Sequence, residues 1–192
     1  MLSLQINKMR NEVRFLFKQR FVALAIVGVV LTGFGCQQNA TVQSEVSKQE
    51  KITTMYQEYA REFSEVKGIT VRELQQLQQQ GEKIVLVDVR SPKERAVSII
   101  PGAISIQEFE TNIEQFNQNN STVVAYCTIG YRSGKYAKKL RKKGINILNL
   151  EGSLLAWSHI QGELVNATGS TKKVHVFGRQ WQLTADNYQP VW

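Results

Sequence analysis

Short apolar runs alternate with helix-like segments through the middle of the chain. The run "KIVLVDVR", residues 83–90, is of the kind expected in a central parallel strand that is buried on both faces. Similar runs predict four more strands, at 68–70, 102–106, 121–127 and 145–152. Amphipathic patterns between the strands predict helices at 70–81, 91–95, 108–118, 133–144 and 153–160. Repeated strand–helix units favour an α/β fold, here an open parallel five-stranded sheet with helices on both faces.

Two of these helices carry clear start signals. Thr70 and Glu73 have the spacing of a capping box, and Gly81 is a typical stop for the helix that follows them. Ser91 is a helix cap with Pro92 at the first helical position.

The segments on either side of this region have their own patterns. In 53–66, Met55, Tyr59 and Phe63 recur every four residues, which predicts a helix with one apolar stripe. The segment 166–192 alternates like a strand and carries three late aromatic residues. We expect it to pack on the domain, because about 30 residues rarely hold a core of their own.

The N-terminal segment has the composition of a targeting signal. The chain has 192 residues and a formal net charge of +8. Lys8, Arg10, Arg14, Lys18 and Arg20 against Glu12 leave +4 of that charge in the first 35 residues. The fifteen uncharged residues 21–35 follow, a length that suits a signal-peptide core better than a membrane span of ~20 residues.

Cys36 stands where this apolar run ends, directly after Gly35. The arrangement resembles the lipobox of bacterial lipoproteins, in which this cysteine is lipidated, although Gly33 stands where leucine is usual. Plain secretion after cleavage and an uncleaved anchor are the alternatives. Each of them exports the globular part, and lipidation would tether it to a membrane surface. Nucleic acid is not an expected partner, because export removes the usual target.

The sequence therefore predicts four regions: a signal segment at 1–35, a flexible polar tether at 36–52, a domain with its leading helix at 53–165, and the C-terminal extension at 166–192. The chain has two cysteines. If Cys36 is lipidated, Cys127 has no disulfide partner in the chain, and an unpaired thiol in an exported protein calls for a function.

Cys127 ends a predicted central strand, and a helix is predicted to begin near Arg132. Open α/β sheets bind ligands at this edge. Gly130 allows the loop between them to curl its backbone N–H groups around an anion, and the helix dipole adds positive potential. That environment favours a thiolate at Cys127. Arg132 adds a planar cation suited to an oxyanion.

Four motifs, in order, carry a resemblance to a known family: "DVRSPKER", "IPGAI", "YCTIGYRSG" and "LEGSLLAW". They resemble those of the rhodanese-like (sulfurtransferase) family over about Ile69 to Gly162. Ser98 and Ile99 depart from the glycine and histidine that are frequent before the second motif. In that family a cysteine takes sulfur from a donor such as thiosulfate, becomes a persulfide, and passes the sulfur to a nucleophile.

The resemblance implies specific roles. Cys127 matches the catalytic cysteine, and the donor-binding residues are Thr128, Ile129, Gly130, Tyr131 and Arg132. Tyr131 and Ile129 are expected to shape the mouth of the pocket. Structural support is expected from Asp88 and Arg90, which brace the loop, and from Glu94, which can pair with an arginine.

The resemblance also implies partners: a small sulfur-donor anion, and a thiol, cyanide or protein as acceptor. No cofactor is implied, and two isolated histidines, His159 and His175, do not predict a metal site. The loop has Cys-x4-Arg spacing, one residue shorter than the Cys-x5-Arg of related phosphatases. A phosphatase or arsenate reductase is therefore the weaker alternative, and a binding module with little turnover is another.

A basic face is predicted on the helix after the loop. It comprises Lys135, Lys138, Lys139, Arg141, Lys142 and Lys143. A solvated helix face is one interpretation of these charges. The other is that they attract anionic substrates, acidic partners or an anionic membrane surface.

Overall fold

A computed structural model describes residues 41–118 and 121–192. Residues 41–44 belong to a separate N-terminal unit and are helical, and the second unit runs from Glu45 to Trp192. The predicted signal segment and Cys36 lie outside the described residues. Among the residues described, no helix has the length and apolar character needed to cross a membrane.

The second unit is built on a parallel sheet of five strands. They are β1 Gly68–Ile69, β2 Ile84–Asp88, β3 Ile104–Ser105, β4 Thr122–Tyr126 and β5 Leu148–Leu150. Their order across the sheet is β1-β5-β4-β2-β3, and every neighbouring pair is parallel. The predicted fold class, an open parallel five-stranded sheet, is confirmed. Two small sheets follow the main one: β6 Val165–Asn166 with β7 Gly169–Ser170, and β8 Lys173–His175 with β9 Gln189–Val191.

Helices cover both faces of the sheet. They are α1 at 45–60, α2 Val71–Gln79, α3 Pro92–Val97, α4 Ile106–Thr111, α5 Ile113–Gln118, α6 Tyr131–Arg141 and α7 Ser153–His159. Turns of 3-10 helix lie at Arg61–Phe63 and Arg179–Trp181. The predicted capping box of α2 and the Ser91 cap with Pro92 on α3 are both present.

Strand β4 contributes side chains to two hydrophobic cores, one on each face of the sheet. Val124 and Tyr126 face a cluster that includes the side chains of α7 and of the C-terminal extension. Val123 and Ala125 face the other way, into a cluster with side chains of α4 and α6. Because successive strand residues point to opposite faces, an uninterrupted apolar run is what a strand between two cores requires.

Three elements differ in extent from the sequence prediction. The strand predicted at 102–106 is limited to β3, because Ser105 caps α4 in a capping box with Glu108. The helix predicted at 108–118 is two helices, separated at Asn112, whose backbone leaves helical geometry. The strand predicted at 145–152 contains β5 at its centre only.

The flexible tether predicted up to residue 52 is wrong for 45–52, which form the first turns of α1. The physical reason is that Ile52 is buried in the core, with 3% of its surface exposed. Together with the buried Tyr56 and the partly buried Met55 and Tyr59, it completes an apolar stripe at helical spacing. A composition rich in Gln and Lys concealed that stripe.

The two ends of the second unit are joined through α1. Lys48 donates to the carbonyl of Thr184 at 3.2 Å and forms an ion pair with Asp186. In the extension, Val174 and Val176 have no exposed surface and belong to the core cluster on the α7 side of the sheet.

Candidate active site

Cys127 directly follows β4, and α6 begins four residues later, at Tyr131. Its side chain is 2% exposed, so the sulfur lies at the base of the loop rather than on the surface. The backbone N–H of Gly130 donates to Sγ of Cys127 at 3.1 Å. Gly130 has φ +105°, a left-handed conformation that glycine adopts without strain. The loop therefore turns back on its own cysteine.

The N-terminal end of α7 holds the loop from beneath. The amides of Leu154 and Leu155 donate to the carbonyls of Cys127 and Thr128, at 3.3 and 3.1 Å. The amide of Cys127 donates to Oγ of Ser153 at 3.1 Å. Loop carbonyls are thus drawn towards α7 and away from the sulfur. This arrangement suits an anion, because carbonyl oxygens near a thiolate or persulfide would repel it.

Several loop amides have no acceptor among the described residues. Within the described chain, the N–H groups of Thr128, Ile129 and Tyr131 donate to no acceptor. The hydroxyl of Thr128 is buried and has no hydrogen-bond partner there either. Unpaired donors around a loop at a helix start form the kind of concavity that binds anions.

A second group of residues supports the loop from β5 and α1. Asn149 is fully buried, and its side-chain amide donates to the carbonyl of Gly130 at 2.9 Å and to the hydroxyl of Tyr56 at 3.3 Å. Burial raises the pKa of Tyr56 to about 12, and the charges of Glu151 and Cys127 act in the same direction. Tyr56 is therefore a neutral phenol at physiological pH.

Arg132 pairs with Glu94. Its two terminal nitrogens donate to the two carboxylate oxygens of Glu94 at 2.9 and 2.6 Å. Glu94 also accepts from the amide and hydroxyl of Ser91, so the glutamate of the α3 capping box is also the partner of the arginine. The expectation that Glu94 pairs with an arginine agrees with this geometry.

The charges of this pair reinforce one another. Burial alone would raise the pKa of Glu94, but hydrogen bonds from Arg132 and Ser91 outweigh it and lower the pKa to about 2. Burial would lower the pKa of Arg132, but Glu94 and the nearby Cys127 raise it overall. Both groups are therefore charged at neutral pH, and Arg132 lies within electrostatic reach of the sulfur.

Asp88 and Arg90 lie at the end of β2 and brace strand ends rather than the loop. Arg90 donates to Asp88 at 2.9 and 2.6 Å and to the carbonyl of Ser98 at 2.6 Å, and these groups are fully or almost fully buried. Its guanidinium also lies 5.8 Å from the ring centre of Tyr126, the last residue of β4. The pair therefore stabilises the end of β4, which Cys127 directly follows.

The two residues expected to shape the pocket mouth have different positions. Ile129 is 3% exposed and belongs to the hydrophobic core, so that expectation is wrong for it: its side chain turns inward while its amide remains in the loop. Tyr131 is partly exposed, packs against Tyr59, and donates to Glu62 at 3.2 Å.

Residues of the C-terminal extension also lie against the site. The ring of Phe177 packs on the guanidinium of Arg132, 4.9 Å from its central carbon. Nδ1 of His175 lies 4.0 Å from Glu94. Trp181 contacts Phe177 edge to face, with ring centres 6.0 Å apart.

Sequence reasoning missed Asn149, Ser153, Tyr56 and Phe177 as parts of this site. A polar residue inside the apolar run of β5 was the available signal for Asn149, since buried polar side chains require partners. Ser153 lies inside the fourth motif, but no role was assigned to it. Tyr56 and Phe177 carried no local signal, because the loop lies far from them along the chain.

The predicted basic face of α6 is partly paired. Lys135 forms an ion pair with Glu62, and Lys138 with Glu65, at 3.0 and 3.2 Å. Both acids lie near the 3-10 turn that follows α1. Part of the charge of this face therefore docks α6 on its neighbour.

The chain is similar to known proteins over the region that contains this site. The sequence model of the rhodanese-like domain matches residues 70–160. A sulfurtransferase of Allochromatium vinosum is 34% identical over 79 residues, which are 40% of this chain and 74% of that protein. An uncharacterised protein of Synechocystis sp. is 42% identical over 91 residues, 46% of this chain. The match spans only half the length of the Synechocystis protein.

A solved structure supports the fold. The thiosulfate sulfurtransferase of Pseudomonas aeruginosa superposes with a TM-score of 0.50 at 20% identity, over 60% of this chain and 23% of that one. The family match ends at residue 160, so the segment that carries Phe177 lies outside it.

Proposed function

This chain belongs to the rhodanese-like family, and from that premise we propose that it is an exported sulfurtransferase that carries sulfur as a persulfide on Cys127. It takes a sulfane sulfur from a small anionic donor such as thiosulfate and passes it to a thiol, cyanide or protein acceptor. The observation that carries the proposal is the N–H of Gly130 aimed at Sγ of Cys127 at 3.1 Å, in a loop whose neighbouring amides are unpaired.

In the first half-reaction, the thiolate of Cys127 attacks the outer sulfur of the donor. A new S–S bond forms, the S–S bond of thiosulfate breaks, and its electron pair leaves with sulfite. No external oxidant or reductant is required. The loop amides stabilise the charge on the donor and then on the cysteine persulfide, which is also an anion.

In the second half-reaction, a thiolate or cyanide attacks the outer sulfur of the persulfide. The Cys127–sulfur bond breaks and its electron pair returns to Cys127 as thiolate. Arg132 remains charged throughout, because Glu94 holds it in the protonated state, and it offers fixed positive potential beside the sulfur.

The test is the formation of the covalent intermediate. The full chain, purified in mild detergent, is incubated with thiosulfate, and intact-protein mass spectrometry is used to look for one added sulfur atom that cyanide removes as thiocyanate. We expect the adduct in the wild type and its absence in Cys127→Ser. A binding module without turnover or a phosphatase predicts no adduct, so a wild type that never gains sulfur would overturn the proposal.

Export and lipid attachment are tested separately. We propose that Cys36 is lipidated and tethers the domain to a bacterial membrane on its periplasmic or outer side. Labelled palmitate is expected to enter the wild type and not Cys36→Ala when both are expressed in bacteria. Label in neither protein would contradict the lipid anchor and leave the sulfurtransferase proposal standing.

A further inference from the structure

The C-terminal extension presents an aromatic side chain at the rim of the loop. In β8 and the residues after it, Val174 and Val176 point into the core with no exposed surface. His175 and Phe177 alternate with them and point the other way, towards Glu94 and Arg132. The strand is anchored by parallel pairing with β9 and by the hydrogen bond from the amide of Val176 to Val191 at 2.7 Å. Phe177 therefore sits on a fixed support.

Phe177 is only half covered by the protein. Its side chain is 50% exposed, although it packs on Arg132 and meets His175 and Trp181 edge to face, each with ring centres 6.0 Å apart. Trp181 is partly exposed as well. The exposed part of this aromatic pair thus lies beside Arg132.

The charges around the loop do not require a dianion. Arg132 is paired with Glu94, and Arg90 is paired with Asp88 inside the protein. Burial lowers the pKa of His175, against the influence of Glu94 and with that of the nearby cations, so its imidazole is neutral at neutral pH. Because both arginines are already neutralised by carboxylates, the second negative charge of thiosulfate finds no unpaired arginine beside the loop in the described part of the chain. A donor with a single negative charge can instead gain binding free energy by packing an organic group on the exposed aromatic side chains.

We infer that Phe177, supported by Trp181, is a specificity-determining residue that selects sulfur donors with an apolar organic body, of the thiosulfonate or organic persulfide class. The terminal sulfur of such a donor reaches down to Cys127, and its body rests on the exposed face of Phe177. The step is the same transfer as above: the thiolate takes the outer sulfur of an aryl thiosulfonate, and the aryl sulfinate leaves with the electron pair. This inference rests on the proposed function.

The experiment compares two donors on the full chain. Benzenethiosulfonate has an aromatic body and thiosulfate has none, and both transfer one sulfur. Phe177→Ala is expected to lower the ratio of kcat/KM for benzenethiosulfonate to that for thiosulfate about tenfold or more, the scale of a lost apolar contact in a pocket, mainly through KM. Phe177→Leu should lose less. Val46→Ala removes an apolar side chain that is 41% exposed on α1 and should leave the ratio unchanged.

A purely structural role for Phe177 predicts that both donors lose activity by the same factor, which leaves the ratio of the two kcat/KM values unchanged. An unchanged ratio would therefore overturn the inference. A second readout needs no turnover: in the Cys127→Ser background, calorimetric binding of benzenesulfonate should weaken on Phe177→Ala, while binding of sulfate should not. If neither donor reacts with the wild type, the proposed function fails, and this binding comparison still decides the role of Phe177.

Discussion

Asn149 donates to the carbonyl of Gly130 at 2.9 Å, and through that contact a buried amide on β5 fixes the turn of the cysteine loop. The same glycine aims its own N–H at the sulfur of Cys127. Asn149 is not expected to touch a substrate. In the proposed reaction it is a positioning residue, and its effect on the sulfur passes through the backbone of one residue, Gly130.

Replacement of Asn149 by alanine should remove the donor to the Tyr56 hydroxyl and one of two donors to the Gly130 carbonyl, which keeps the amide of Gly134. We expect a loss of about 1–3 kcal/mol in the free energy of unfolding, and at least a tenfold slower formation of the Cys127 persulfide. Urea unfolding and rapid-quench mass spectrometry measure the two effects. Asn146→Ala, at an exposed position, is the matched control. Persulfide formation at the wild-type rate in folded Asn149→Ala would contradict the positioning role.

A substitution at Gly130 would show how closely the cysteine loop packs against Tyr56 of α1. A methyl group added there would lie 2.8 Å from the ring of Tyr56, at φ +105°, whereas at Gly144, with φ +80°, it would meet nothing within 4 Å. Gly144→Ala should therefore cost only the backbone strain of about 1 kcal/mol. Gly130→Ala should cost more and should also slow sulfur transfer. Equal losses of stability, measured by urea unfolding, would show that Tyr56 does not limit the loop.

Glu94 makes stability depend on pH in a defined direction. Its pKa is about 2 in the folded protein, below the ordinary value of 4.5, so the unfolded chain takes up the proton first as the pH falls. Its contribution is fully present above pH 4.5 and is lost as the pH falls towards 2. Glu94→Gln should lower stability by about 2 kcal/mol at pH 7, and by less at pH 3.

Urea unfolding at pH 7, 4 and 3 measures this difference. The exposed residue Glu82 provides the control, since Glu82→Gln should change stability little at any of these pH values. A Glu94→Gln deficit that stayed constant down to pH 3 would mean that the charge of Glu94 does not stabilise the fold.

The role of α1 is tested by two substitutions in the same helix. Ile52 is 3% exposed and Val46 is 41% exposed. Ile52→Ala should lower the free energy of unfolding by about 2–5 kcal/mol, because it leaves a cavity in the core. Val46→Ala should change it by less than about 0.5 kcal/mol. If both substitutions changed the free energy of unfolding by similar small amounts, α1 would not be packed on the core and would behave as a tether.

The parts of the fold that local pattern determines were predictable from the sequence. The apolar run of β2, the capping box at Thr70 and the Ser91 cap each depend on residues within a few positions of one another. The position of Cys127 between a buried strand and α6 follows from the same kind of pattern. Extents were less predictable where a cap shortened a strand, as Ser105 does at β3.

The surroundings of the loop were not predictable in this way. Asn149 meets Tyr56 across 93 positions of sequence, and Phe177 reaches Arg132 from beyond the end of the family match. Such contacts depend on how the sheet arranges helices and strands that are distant in sequence. A hydrophobic pattern within one helix or strand carries no information about that arrangement. The inward turn of Ile129 has the same origin, because it depends on the core beneath the loop.

Lys48 and its partners Thr184 and Asp186 bring the first and last parts of the domain together, and this has a practical outcome for anyone who trims the gene. An expressed fragment of residues 70–160 keeps Cys127 but lacks Tyr56, which contacts Asn149, and Phe177, which packs on Arg132. The shortest version expected to show the native choice of donor runs from 45 to 192.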